Sequence, residues 1–200
     1  MKNFPFTYKT IDNKELTLWY SRSVAVGLFL FAKDQFGEWC VLACQRGNGA
    51  GSEVDKWNCP GGFIDFDETI YQAALRECYE ETGVMANLKD IKLAGIDSGF
   101  FNSDRQTISI RFYYISNKTV EELSKNFSFL NNEENECKKI KFININHVNY
   151  YDWAFDHQRR ILEIYDKYIV KKSIWSRLKE AWNIITGKYA PHGEDNYEFI

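Results

Sequence analysis

Residues 62–84 of the chain are GFIDFDETIYQAALRECYEETGV, and this stretch carries both a helix signal and a cluster of acidic side chains. Thr69 and Gln72 have the spacing of a capping box, in which two side chains satisfy backbone N–H groups at the start of a helix. Gly83 lies where a helix commonly ends in a left-handed residue. We therefore predict a helix over residues 69–82.

Acidic side chains crowd the end of this predicted helix. Glu77, Glu80 and Glu81 fall within about a 100° arc of one helix face. The negative end of the helix dipole lies there, and like charges four residues apart repel each other further. Arg76 can neutralise one carboxylate, that of Glu68 or Glu77, and the remaining oxygen ligands suit Mg²⁺ or Mn²⁺. A solvated acidic face is the alternative for three glutamates taken alone.

The fixed positions of the stretch form the pattern G-x5-E-x7-R-E-C-x-E-E-x-G-V. This pattern resembles the Nudix box at every position, and the chain is similar to the Nudix hydrolase family over about residues 23–168. The resemblance implies an α/β sandwich in which a mixed β-sheet lies between helices. It also implies an enzyme, a pyrophosphatase that hydrolyses a nucleoside diphosphate linked to another moiety by acting on its phosphoanhydride bond.

The resemblance further implies roles for individual residues. Glu68 and Arg76 would form a salt bridge that supports the loop and the helix. The implied ligands of Mg²⁺ or Mn²⁺ are the backbone carbonyl of Gly61 and the side chains of Glu77, Glu80 and Glu81. Bound metal would neutralise the charge that grows on the phosphates during the reaction.

The reaction also needs a general base that takes a proton from the attacking water. In the family this base is a box glutamate, here Glu80 or Glu81, or a carboxylate in a distant loop. The acidic loop of residues 131–136 offers such carboxylates. We favour Glu136 because it lies six residues before the aromatic Phe142 of the next predicted strand. A solvated loop charge is the alternative.

Two weaker resemblances concern the substrate. Residues 136–145, ECKKIKFINI, and residues 153–157, WAFDH, resemble segments of the branch of the family that handles ADP-ribose. ADP-ribose or a nucleotide sugar is therefore the expected small-molecule substrate. We expect Arg46 and Arg105 to bind it and Phe101 to stack on a base. The loop that holds Arg105 lacks the proline usual in that branch, and a surface position is the alternative for Arg46.

Two other functions stay open. One is a (d)NTP pyrophosphohydrolase of the nucleotide-sanitising type, and the other is a non-catalytic regulator that senses ADP-ribose and binds DNA through a C-terminal module. Such regulators often have a degraded box, and the 30 residues after Val170 are few for a winged helix. We therefore expect no nucleic-acid partner, while a homodimer stays open. His157 is expected to cap or pair within its own helix.

Length and composition narrow the class of protein. The 200 residues fit a Nudix domain over residues 1–170 and a C-terminal helix with a polar tail over residues 171–200. The net charge of -3 argues against binding to nucleic acid or anionic lipid through overall charge. The apolar run of residues 24–32 is far shorter than the ~20 residues of a membrane span. The five scattered cysteines form no CxxC pair, so we expect them to be reduced. The first ten residues resemble no signal peptide, so we expect a cytoplasmic protein.

Overall fold

The structure is a computed structural model that describes residues 4–20, 23–98, 107–129, 135–170 and 182. The chain divides into two compact units, Met1–Leu162 and Glu163–Ile200. The predicted C-terminal helix and tail, residues 171–200, lie outside the described residues except for Trp182, which is helical.

Nine strands lie within the described residues: β1 (Phe4–Lys9), β2 (Glu15–Tyr20), β3 (Val24–Lys33), β4 (Trp39–Arg46), β5 (Trp57–Asn58), β6 (Gly61–Phe63), β7 (Lys92–Asp97), β8 (Ile108–Ile115) and β9 (Cys137–Asn144). Strands β1 and β2 form an antiparallel pair of their own. The other seven form one sheet in the order β5-β4-β3-β8-β7, with β6 paired to β3 and β9 paired to β4. The sheet is mixed because β3 and β8 are parallel, whereas its other pairs are antiparallel.

The helices of the described residues are α1 (Ile70–Thr82), α2 (Val120–Ser124) and α3 (His157–Ile164), and α3 continues into a π-helical turn, Tyr165–Ile169. The prediction for α1 is confirmed: Thr69 and Gln72 form the capping box, and Gly83 ends the helix with a φ of 72°. None of the helices in these parts of the chain is long and apolar enough to cross a membrane.

Strand β3 lies at the centre of the core, and its residues 28–32 are fully buried. Leu28 and Leu30 belong to the same buried cluster as Ala74 and Cys78 of α1. The side chain of Phe29, which alternates with them, packs edge to face against His157 at the start of α3, with 5.3 Å between ring centroids. Both faces of the sheet are therefore covered, and the predicted α/β sandwich is confirmed.

Candidate active site

The acidic end of α1 lies against Pro60 and the first two residues of β6, Gly61 and Gly62, a segment that we call the glycine turn. The backbone N–H of Gly61 donates a hydrogen bond to Oε2 of Glu81 over 3.3 Å. A Cβ atom on Gly62 would lie 2.4 Å from Oε1 of Glu77, so only glycine leaves room for this carboxylate. The turn is fixed to the sheet because Gly61 pairs with Gly27 of β3 in antiparallel register. The carboxylates of α1 and the backbone of the turn thus form one site.

Arg76 lies among the carboxylates of Glu68, Glu77 and Glu80, which together with Glu81 form the acidic cluster. Its Nε and Nη2 donate hydrogen bonds to both carboxylate oxygens of Glu68, over 3.0 and 2.6 Å. Its Nη1 donates to Glu77 over 2.9 Å and to Glu80 over 3.1 Å, and Nη2 also donates to the carbonyl of Phe63. The ion pair predicted between Glu68 and Arg76 is therefore present, and the same guanidinium also serves two further carboxylates.

Burial and hydrogen bonding shift the pKa values of the carboxyl groups in the cluster. Burial raises the pKa of Glu77 to about 7, and the negative charge of Glu136 adds to this shift while Arg76 opposes it. Burial also raises the pKa of the Glu81 carboxyl well above its usual range. In contrast, the hydrogen bond from Arg76 lowers the pKa of Glu68. Two carboxyl groups of the site therefore have surroundings that disfavour their charge unless a cation lies beside them.

The donor groups of the cluster fit a hard divalent cation, which prefers carboxylate and carbonyl oxygens. In the described parts of the chain, no group of three or more His, Cys, Asp or Glu side chains is already arranged to hold a metal ion. The carboxylates of Glu77 and Glu80 point instead at Arg76. A bound cation would therefore compete with Arg76 for these two side chains.

Glu136, the predicted base, is exposed and directly precedes β9. It lies close enough to the cluster for its charge to raise the pKa of Glu77. Its backbone carbonyl accepts a hydrogen bond of 2.7 Å from the N–H of Gly47, which joins it to the loop after β4. The preceding residues 131–134 lie outside the described residues.

Arg46 organises the loop that follows β4. Its Nε donates to the carbonyl of Ser52 over 2.9 Å and its Nη2 to that of Ala50 over 2.6 Å. The guanidinium carbon also lies 4.7 Å from the ring centroid of Phe155. The charge of Arg46 acts on the site by lowering the pKa of Glu81, in opposition to burial. Two other predicted substrate-binding residues lie outside the described residues: Phe101 and Arg105.

The hydrogen bond of His157 to Cys59 is not predicted by the sequence. The expectation of a partner within its own helix is wrong for Nδ1, which accepts a hydrogen bond of 2.9 Å from the backbone N–H of Cys59. The two residues are 98 positions apart, and no spacing pattern relates them. This bond joins the start of α3 to the segment that leads into the glycine turn.

The fold is an α/β sandwich with a mixed sheet, and the carboxylate cluster at its site is suited to holding a divalent cation. A family model described as the NUDIX domain matches residues 21–164, so the chain belongs to the Nudix family. As a member of this family, the protein is a pyrophosphatase-type hydrolase that acts on phosphoanhydride bonds. A search of the curated proteins finds no match.

Several solved structures share the fold. The Nudix domain of Shewanella oneidensis NrtR complexed with ADP ribose is 21% identical, with a TM-score of 0.59 over 74% of this chain and 88% of that chain. NrtR is also known in complex with a 27mer DNA. A MutT/nudix family protein from Enterococcus faecalis is 19% identical, with a TM-score of 0.61 over 80% of this chain and 67% of that chain. A bifunctional NMN adenylyltransferase/ADP ribose pyrophosphatase from Francisella tularensis, complexed with AMP and a Mn ion, is 24% identical, with a TM-score of 0.56 over 74% of this chain and 42% of that chain.

Proposed function

We propose that the protein is a divalent-metal-dependent hydrolase that cleaves the pyrophosphate bond of ADP-ribose or a related nucleotide sugar. The observation that carries this proposal is the crowding of carboxylates from α1 against the glycine turn, where one guanidinium serves Glu77 and Glu80 of the helix as well as Glu68 before it. A solvated acidic face would not need Gly62 to leave room for the carboxylate of Glu77. We therefore favour a cation site over the alternative of a surface charge patch.

Each residue of the site has a proposed task. The cation, Mg²⁺ or Mn²⁺, would be held by the carbonyl of Gly61 and the side chains of Glu77, Glu80 and Glu81. Bound there, it would neutralise charge on the phosphates and make the attacked phosphorus more electrophilic. Arg76 keeps the carboxylates together and is itself fixed by its two bonds to Glu68.

Glu136 is our preferred general base. Its side chain is exposed, so a proton taken from the attacking water can pass on to solvent. Its position beside the cluster is supported by its effect on the pKa of Glu77. Glu80 and Glu81 are the alternatives, since both also belong to the cluster. Arg46, whose charge acts on Glu81, is our candidate for a phosphate contact.

The substrate class is supported by two lines of argument. Residues 136–145 and 153–157 resemble the branch of the family that handles ADP-ribose. Among the structures with the same fold, the NrtR domain was solved with ADP ribose, and the Francisella protein is an ADP ribose pyrophosphatase.

The test is hydrolysis of ADP-ribose by the full chain with Mg²⁺ in oxygen-18-labelled water, followed by mass spectrometry. We expect AMP and ribose 5-phosphate, with the label on the phosphorus that water attacked. The double variant Glu80→Gln/Glu81→Gln should lose activity by about a hundredfold or more, because the charge stabilisation at the phosphates is removed. Glu38→Gln, a change at an exposed glutamate in the β3–β4 turn, is the matched control and should keep full activity. Full turnover by the double variant would refute the proposal.

The two alternatives make different predictions. A (d)NTP pyrophosphohydrolase would release a nucleoside monophosphate and inorganic pyrophosphate from a triphosphate, so the products of a substrate panel separate it from our proposal. The regulator is favoured by one observation, the NrtR complex with DNA. A gel-shift titration across salt concentrations tests it, because contacts to phosphates give a steep salt dependence.

A further inference from the structure

A short segment just before α3, residues 152–154, runs beside β5, the strand that leads into the glycine turn. The N–H of Trp57 donates to the carbonyl of Asp152, and the N–H of Ala154 donates back to the carbonyl of Trp57, both over 2.8 Å. These bonds form a parallel bridge between Trp57 and Trp153. Residues 152–154 therefore extend the sheet beyond β5 by one short stretch.

The next donor along the same edge is the N–H of Cys59, and its acceptor is a side chain. It donates to Nδ1 of His157 over 2.9 Å. A side-chain nitrogen thus continues the line of backbone hydrogen bonds toward the turn.

The backbone is bent to place His157 there. Phe155 and Asp156 both have positive φ values, 55° and 65°. Such a conformation is strained for a residue with a side chain, because its Cβ crowds the following carbonyl. These two strained residues directly precede the histidine that bonds Cys59, so the local strain is tied to the placement of this imidazole. Packing of the ring against Phe29 fixes it further.

The chemistry of the ring matches the role of acceptor. Burial lowers the pKa of His157 to about 4, with the positive charge of Arg46 as the next cause. The imidazole is therefore neutral at neutral pH. Because Nδ1 accepts the hydrogen bond, the ring proton must lie on Nε2.

The bond to Cys59 acts on the glycine turn through two peptide units. Cys59 is fully buried. The carbonyl of Pro60 accepts a hydrogen bond from the N–H of Leu28 over 2.9 Å, and the N–H of Gly61 donates to Glu81. The backbone from Cys59 to Gly61 is thus held at each residue in turn. His157 supplies the first of these contacts.

We propose that His157 is a positioning residue for this hydrolase, holding the Cys59 amide so that the carbonyl of Gly61 stays in place to bind the divalent cation. The inference rests on the proposed function, since it requires Gly61 to be a ligand. His157 itself touches neither the cation nor the substrate in this scheme. Its effect resembles that of the residues around a metal site that orient the ligands, whose loss commonly weakens metal binding by about 10- to 100-fold.

Three variants of the full chain test the inference. His157→Leu removes the acceptor, whereas His157→Asn places an amide oxygen near the position of Nδ1. Val148→Ala is the control for stability alone, because Val148 is fully buried and apolar. For each protein, Mn²⁺ affinity is measured by electron paramagnetic resonance without substrate, and kcat and KM for ADP-ribose are measured separately.

We expect His157→Leu to weaken Mn²⁺ binding about 10-fold or more and to lower kcat, with a smaller effect on KM. His157→Asn should restore most of the Mn²⁺ affinity, and Val148→Ala should bind Mn²⁺ as the wild type does. Wild-type affinity in folded His157→Leu, no recovery in His157→Asn, or an equal loss in Val148→Ala would each overturn the inference. A wild type that binds no Mn²⁺ would overturn the proposed function as well, so the two failures are distinguishable.

A measurement on the wild type covers the case in which His157→Leu does not fold. The nitrogen chemical shifts of His157 report which ring nitrogen carries the proton. The inference requires the proton on Nε2 at neutral pH and a slowly exchanging amide at Cys59. A proton on Nδ1 would refute it without any variant.

Discussion

Two neighbouring glycines of the turn should respond in different ways to an added methyl group. A Cβ on Gly61 would lie 2.3 Å from the carbonyl oxygen of Val26, which belongs to the sheet backbone and cannot move aside. A Cβ on Gly62 would lie 2.4 Å from the carboxylate of Glu77, which is the mobile end of a side chain. The first contact therefore opposes folding, and the second opposes only the arrangement of the site.

We accordingly expect Gly61→Ala to lower the free energy of unfolding by about 3 kcal/mol, as overpacking in a rigid place does. Gly62→Ala should keep its stability and lose Mn²⁺ affinity and kcat, because the Glu77 carboxylate is displaced. Urea denaturation of both variants measures the free energy of unfolding, and Mn²⁺ titration measures their affinity for the cation. Gly27→Ala is the control, since the atoms nearest to its Cβ would lie at ordinary distances of 3.8 and 3.9 Å. Full Mn²⁺ affinity in Gly62→Ala would count against Glu77 as a ligand.

The pKa of His157 predicts how stability changes with pH. It is about 4 in the folded protein and near the ordinary 6.5 in the unfolded chain. As the pH falls below about 6.5, the unfolded chain binds a proton that the folded protein does not, so the free energy of unfolding decreases until about pH 4. The loss reaches up to about 3 kcal/mol. The full free energy of unfolding is therefore reached only above about pH 6.5, where His157 is neutral in both the folded and the unfolded chain.

Comparison with His157→Asn isolates this effect, because asparagine keeps an acceptor for Cys59 and does not titrate. Urea denaturation of both proteins at several pH values between about 7 and 4.5 should show the wild type losing more stability than the variant. If the two curves run parallel, the pKa of His157 is not depressed by folding.

Local signals determine which helices and strands the sequence predicts. Helix α1 and its ends are predicted correctly because the capping box, the acidic face and Gly83 all lie within residues 69–83. Strand β7 is not predicted. Its residues Leu93 and Ile96 are both exposed, its pairing with β8 shifts near Gly95, and a regular alternation is therefore missing. The pair β1 and β2 is also missed, and Pro5 within β1 is a residue that argues against a strand.

The same distinction applies to the site. The pairing of Glu68 with Arg76 is what the resemblance to the Nudix box implies, and the structure contains it. The bond between His157 and Cys59 could not, since it depends on how α3 docks beside β5. The residues alone indicate one partner for Arg76, either Glu68 or Glu77. The simultaneous bonds to Glu77 and Glu80 depend on side-chain geometry in the folded protein, which the sequence pattern does not contain.

The proposed site exists only in the folded chain. The carboxylates come from α1, the carbonyl of Gly61 comes from β6, which pairs with β3, and Glu136 directly precedes β9. An unfolded chain does not hold these groups together. A cation that binds them must therefore stabilise the fold, by an amount set by its concentration relative to its Kd.

We expect Mn²⁺ at a hundred times its Kd to add about 2.7 kcal/mol to the free energy of unfolding. For a chain of this size this corresponds to a rise in Tm of about 5–10 °C. Thermal unfolding of the full chain with Mn²⁺, and again after addition of EDTA in excess, measures the shift and its reversal. The double variant Glu80→Gln/Glu81→Gln should show little or no rise, because two of the proposed ligands are uncharged. An equal rise in the double variant would show that the stabilising cation binds elsewhere, and the carboxylates of α1 would then need another explanation for their crowding.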